Sequence, residues 1–221
     1  MRTTVAIEPQ VETYFYHRLS NLRLLDGYVS ARLAALTLRS GDKLTLGFEP
    51  QLHVLEAAAA IVPGATGAPG EYAALRPSAK LRSDESRAYG ASFRIEHGGW
   101  YDGALTTIAA TAELRPSPHL AARAGYQLDR IRDLGAERHA ENLHLFNGEL
   151  RLAASPRLQL VGFAQRSTLE RLTAINARLM WEVRPLSFLY LVYDDVRLPD
   201  DGGELRRTWR LTAKLTWLVQ P

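Results

Sequence analysis

The chain has 221 residues, 46% of them apolar and 23% charged, which is enough for one domain with a sizeable interior and too apolar for a disordered chain. Its formal charge is only +3, and 24 of its 27 cationic residues are arginines interleaved with Asp and Glu, which argues against a nucleic-acid surface of clustered cations and stacking aromatics. The absence of cysteine removes disulfides, thiolate metal sites and cysteine nucleophiles, and no apolar run approaches the ~18 residues of a membrane helix.

Met1-Arg2-Thr3-Thr4-Val5 lacks the apolar stretch of a signal peptide. Residues 1–10 read as an N-terminal extension, and 11–221 as one β-domain. Val11 to Leu19 is a weak first strand. Gly27 to Arg39 and Lys43 to Leu55 follow, joined by Ser40-Gly41-Asp42. In the second of these, Leu44, Leu46, Phe48, Leu52 and Val54 alternate with Thr45, Gly47, Glu49, Gln51 and His53. A period of two is the side-chain period of a strand. Ala57 to Gly70, rich in Ala, Gly and Pro, reads as a long connection. Tyr72 to Arg82 and Arg87 to His97 form the next pair. Gly98 to Gly103 reads as a loop. Ala104 to Arg115 and His119 to Ile131 flank Pro116-Ser117-Pro118. Asn142 to Ala154 and Leu158 to Ser167 flank Ser155-Pro156-Arg157. Leu172 to Arg184 and Ser187 to Val196 flank Pro185-Leu186. Proline suits such turns because it has no N–H to give to a ladder.

The final segment, Arg206 to Gln220, alternates most strictly. Arg207, Trp209, Leu211, Ala213, Leu215, Trp217 and Val219, apolar apart from Arg207, oppose Arg206, Thr208, Arg210, Thr212, Lys214, Thr216, Leu218 and Gln220. It is more than twice the length of an ordinary strand. The pattern predicts an all-β fold, an antiparallel up-and-down transmembrane β-barrel of about twelve strands that stands alone or forms part of a larger barrel. At ~3.3 Å per residue and ~45° tilt, about ten residues cross the ~25 Å apolar band. The apolar faces carry much alanine, a poor filler for a packed core but acceptable against lipid. Short turns on one side and mostly longer loops on the other, the short connection near 169 excepted, would put the short turns in the periplasm. The competing reading is a soluble antiparallel sandwich or barrel that binds a partner or ligand through its loops.

If the apolar faces point to lipid, the charges line a lumen: Arg94, Glu96, Glu113, Arg115, Glu149, Arg151, Arg178, Glu182, Arg206, Arg210 and Lys214. Trp100, Tyr101, Trp181, Trp209 and Trp217, with Tyr28, Tyr72 and Tyr89, sit near strand ends, where interfacial aromatics belong. The six histidines fall in no metal-ligand spacing. Asp194-Asp195 with His97 or His144 has no serine in a nucleophile-elbow context. Asp200-Asp201-Gly202-Gly203 lacks the alternating oxygen ligands of a calcium loop and reads as a turn. No cofactor, metal or enzymatic activity is expected, and the expected partner is a lipid bilayer.

More specific words run through the second half: Gly99-Trp100-Tyr101-Asp102-Gly103, Leu114-Arg-Pro-Ser-Pro-His-Leu120, Ser155-Pro-Arg-Leu158, Asn176-Ala-Arg-Leu-Met-Trp-Glu-Val-Arg-Pro185, Ser187-Phe-Leu-Tyr-Leu-Val-Tyr193 and Lys214-Leu-Thr-Trp-Leu218. In this order they resemble the C-terminal β-barrel of a bacterial outer-membrane family of unknown function. Its longer members carry a signal peptide and a module similar to family-9 carbohydrate-binding domains. The resemblance covers roughly Asp26 to Pro221 and is strongest from Gly98. It implies an outer-membrane location and a pore, transporter component or anchor, with a hint of carbohydrate-related cargo. It transfers no catalytic residue. The export signal and the binding module are not in this sequence, so further subunits or a separate N-terminal module are the other expected partners.

Overall fold

The computed structural model describes residues 9–22, 24–200 and 202–219, and of residues 25 and 28 the backbone. The expected N-terminal extension thus lies largely outside the described residues, as do the side chain of Tyr28 and all of Asp201. Among the described residues there are fourteen strands and no helix. The first seven are β1 (Gln10–His17), β2 (Leu24–Thr37), β3 (Lys43–Leu55), β4 (Ala59–Val62), β5 (Ala65–Gly67), β6 (Gly70–Arg82) and β7 (Tyr89–Trp100). The others are β8 (Gly103–Ser117), β9 (Leu120–Leu134), β10 (His139–Ser155), β11 (Leu158–Ser167), β12 (Leu172–Arg184), β13 (Ser187–Pro199) and β14 (Leu205–Thr216). Twelve of them form one antiparallel sheet in sequence order, an up-and-down meander in which β6 follows β3; β4 and β5 pair separately.

Cross-strand register carries the sequence alternation into continuous rows. Leu160, Leu179, Leu191 and Ala213 face each other across β11 to β14, and so do Gly162, Ala177, Tyr193 and Leu211. The intervening rows hold Val161, Arg178, Val192 and Thr212, then Phe163, Asn176, Asp194 and Arg210. One face of this region is therefore an apolar surface and the other is mixed and polar. Across β3, β6 and β7 the same holds: Leu44, Leu81 and Phe93 form one row, Thr45, Lys80 and Arg94 the next.

By internal contacts the described residues form two compact units, one of those up to 85 with 91–110 and 127–143, the other of 86–90, 111–126 and those from 144 onward. The first holds a small hydrophobic cluster, Val62, Ala65, Ile131, Leu134 and Leu143, with Ile61, Trp100, Tyr101 and Leu105 packed against it.

Three sequence expectations need correction. The 57–70 segment, expected as a long connection only, carries two strands of its own, the β4–β5 hairpin, turned at Gly64 with φ +85°. The expected loop Gly98–Gly103 shrinks to a two-residue turn, because β7 runs to Trp100 and β8 starts at Gly103. Tyr101 accepts the left-handed conformation, φ 52°, that so tight a reversal needs. The contrast between long and short connections also fades. Leu134 to His139 and Pro199 to Leu205 are tight reversals, while Ser167 to Leu172 is short as its sequence indicates. At the last, Asp200 Oδ1 accepts from Gly202 N and Glu204 N at 3.0 Å each, a turn closed by its own carboxylate.

Candidate functional site: a polar sheet face beneath a hairpin

In the first unit the burial pattern is inverted. Along β6, Arg76 is 7% exposed while its neighbour Leu75 is 55% exposed; along β7, Glu96 is 1% exposed while Ile95 is 39% exposed. Ionised side chains are rarely buried unless paired, and these are paired. Glu96 lies between two guanidiniums: Arg76 Nη2 is 2.8 Å from Oε1, and Arg94 donates to Oε2. Arg94 Nη2 is also 3.9 Å from Glu49 Oε1 on β3.

The network continues across neighbouring strands. Arg76 Nη2 donates to Thr107 Oγ1 (3.3 Å) on β8, the Thr107 hydroxyl donates to Asp129 Oδ1 (2.6 Å) on β9, and Gln127 Nε2 donates to Asp129 Oδ2 (2.7 Å). A belt of ion pairs and hydrogen bonds thus crosses β3, β6, β7, β8 and β9. Within it Arg76 Nε and Glu96 Oε1 are buried with no hydrogen-bond partner among the described residues, so Arg76 and Glu96 meet as an ion pair only. Gly98, opposite Arg76, makes room for it: a Cβ there would sit 2.2 Å from the Leu75 carbonyl oxygen and 2.8 Å from Arg76 Cγ.

Two residues further along the same strands, in the same alternation phase, the face turns apolar. Leu105 follows Thr107 and Ile131 follows Asp129. Here the β4–β5 hairpin seats Ile61, Val62 and Ala65 against Ile131, Leu134 and Leu143. Ile131 is 1% exposed and Leu134 fully buried. The fit is close: a Cβ on Gly135, at φ +72°, would meet the Thr66 carbonyl oxygen at 2.8 Å. Trp100 is in phase with Glu96 and Gly98, so the structure packs it, with Tyr101, on this cluster rather than on the apolar face. Tyr101 stacks on His53 (5.0 Å between centroids) and meets Tyr72 edge-on (5.4 Å). Burial, helped by Asp26 and Tyr72, pushes the Tyr101 hydroxyl above its ordinary pKa.

In the second unit the polar face is more open. Glu113 lies 3.4 Å from Arg115 and 3.7 Å from Arg123, and with Glu149 they border a cavity of about 240 Å³. Arg151 donates to Gln159 (3.4 Å). Arg178 and Lys214 border a groove of about 410 Å³ with Phe188 and Tyr190 stacked at 5.9 Å. Glu182, which shares the face with Arg178, instead accepts from Leu186 N (3.1 Å) and lies 3.9 Å from Arg157. Arg210 is 3.7 Å from Asp194, and Arg206 shares a row with Leu198. Trp181 and Trp209 stand exposed on the apolar face, while Trp217, just past β14, lies under Arg184 at 3.7 Å.

Asp194 and Asp195 point to opposite faces. Asp195 is on the apolar one, held by Arg207 Nε (3.1 and 3.0 Å) and Nη2 (2.6 Å) and by the Tyr193 hydroxyl (3.1 Å). His97 and His144 bond instead to Thr106 (2.8 Å) and Tyr126 (2.9 Å). Four groups of this site escaped the sequence reading: Arg76, Thr107, Arg123 and Asp129. Alternation alone could have found them, since Arg76 is in phase with Ser78 and Lys80, and Arg123 with Gln127 and Asp129.

Neither a protein-family model nor a curated protein matches the chain. Among solved structures, the NanC porin in a rhombohedral crystal form aligns over 96% of this chain and 100% of its own, at 9% identity and a TM-score of 0.37. No residue role is carried across at that level of likeness.

Proposed function

We propose that the chain is the wall of a β-barrel in the bacterial outer membrane. Its apolar face lies in lipid, its polar face lines a water-filled path, and it acts as a pore or as the pore part of a transporter rather than as an enzyme. The observation that carries this reading is the inverted burial of β6 and β7, with Glu96 buried and Leu75 exposed. A protein folded in water has the opposite arrangement. Along β14, Leu205, Trp209, Leu211 and Leu215 are each more than 60% exposed. In water each forgoes on the order of 1.5–3 kcal/mol of burial, whereas in lipid that loss disappears. The soluble alternative would need another layer on this face. The β4–β5 hairpin, seated on the polar face, would narrow the path. Carbohydrate-related cargo is supported only by the resemblance to the longer outer-membrane proteins.

Detergent dependence tests the reading directly. The chain should fold only with detergent or lipid, migrate differently on gels when unheated, and conduct ions in a planar bilayer. A folded, monodisperse chain in plain buffer would sink it. Leu211→Arg, at mid-height on the apolar face, should cost about 2–4 kcal/mol in lipid, and Thr212→Arg, on the polar face, much less. Equal costs would refute the assigned facing.

A further inference from the structure

On the apolar face of the second unit, one row differs from the rest. Arg166 on β11 faces Thr173 on β12, Thr173 faces Arg197 on β13, and Arg197 faces Arg207 on β14. Three arginines therefore stand in one line across four strands, at the strand ends that lead into the 168–171 and 200–204 turns. Neighbouring strands are roughly 5 Å apart, so Arg197 and Arg207 are adjacent and Arg166 is about 10 Å from Arg197. Like charges placed directly opposite each other repel.

The sheet supplies one compensating carboxylate. Asp195 takes the bidentate contact from Arg207, and Arg197 Nε reaches it only at 4.0 Å. Arg166 is exposed and has no carboxylate partner among the described residues. Two positive charges are left over in the row. Immediately inward lie Ala164, Ile175 and Trp209 beside Asp195, and then the apolar rows. From Arg207 to Trp217 is ten residues, which at ~3.3 Å per residue and a tilt near 45° comes to roughly the ~25 Å of an apolar membrane band. The arginines thus sit at one margin of that band.

We propose that this row binds the phosphate groups of a phosphorylated membrane lipid, with the lipid's acyl chains lying on the apolar rows next to it. Guanidinium forks match phosphate oxygens two at a time, and they are weakly hydrated enough to do so at a membrane surface. The occupant is set by two features together. The surplus positive charge calls for an anion, and the adjoining apolar surface calls for a hydrocarbon tail on the same molecule. Asp195 fixes Arg207 in place. The inference rests on the membrane reading above.

The test uses the full chain, folded in a neutral detergent and shown to be heat-modifiable. Lipid A, its dephosphorylated form and inorganic phosphate are the probes, with bound lipid counted by native mass spectrometry and Trp209 fluorescence as a second readout. The expected result is retention of lipid A over the dephosphorylated form, with little effect of inorganic phosphate. An Arg166→Gln/Arg197→Gln double variant, which leaves the Arg207–Asp195 contact intact, should weaken lipid A binding at least about tenfold. Arg206→Gln, on the opposite face, should leave it unchanged. The proposal is overturned if the dephosphorylated lipid binds equally, if inorganic phosphate competes as well as lipid A, or if the double variant binds like the parent. If the chain folds in plain buffer, the membrane reading itself has failed. If it inserts and conducts but shows no phosphate preference, the lipid site alone has failed.

Discussion

The polar faces of the two units carry the same kinds of side chain and treat them differently. In the first unit, Arg76, Glu96 and Thr107 are buried, and the hairpin seats an apolar patch next to them. In the second, Arg178, Arg210 and Lys214 remain exposed. Alternation puts charge on one face in both, but only local covering decides whether that charge is desolvated. A buried carboxylate must be matched in charge, as Glu96 is by two arginines. An exposed one, such as Glu149, can rely on water.

The contrast breaks most sharply at Glu96. Glu96→Ala leaves the buried Arg76 without its carboxylate, while the half-exposed Arg94 keeps Glu49 at 3.9 Å. Breaking a buried ion pair of this kind should cost about 3–5 kcal/mol, read from urea unfolding in lipid vesicles by tryptophan fluorescence. A cost under about 1 kcal/mol, typical of exposed pairs, would mean that water reaches Glu96 as freely as it reaches the second unit.

The hairpin seat comes next. Leu134→Ala removes a fully buried side chain and should cost about 2–5 kcal/mol if the cavity stays open. The β4–β5 hairpin should then become more sensitive to protease between Ala59 and Gly67, and ion conductance should rise. Stability lost with no change in conductance would place the hairpin away from the path.

Much of this was legible because strand alternation survives folding: the strands, both faces and the polar character of Arg94, Glu96, Arg210 and Lys214 all follow from a period of two. Three things were not. The hairpin at Ala59–Gly67 is too short and too rich in alanine and glycine for alternation to show. Its seat, Leu105 and Ile131, lies in phase with polar residues, so it reads as noise until the hairpin covers it. The Asp195–Arg207 contact joins residues on separate strands, and nothing in the sequence fixes the register that brings them together.

The smallest effect is expected in the open groove of the second unit. Arg178→Ala and Lys214→Ala each remove an exposed cation, and stability should change by no more than about 0.5 kcal/mol. Their effect should lie in transport instead. Two cations beside the stacked Phe188 and Tyr190 raise the local concentration of anions along that wall. Losing both should shift the reversal potential toward cation preference in a salt gradient, and more strongly at low ionic strength, where screening is weak. An unchanged reversal potential would leave the groove as a wetted surface and move the selective part of the path to the covered belt around Glu96.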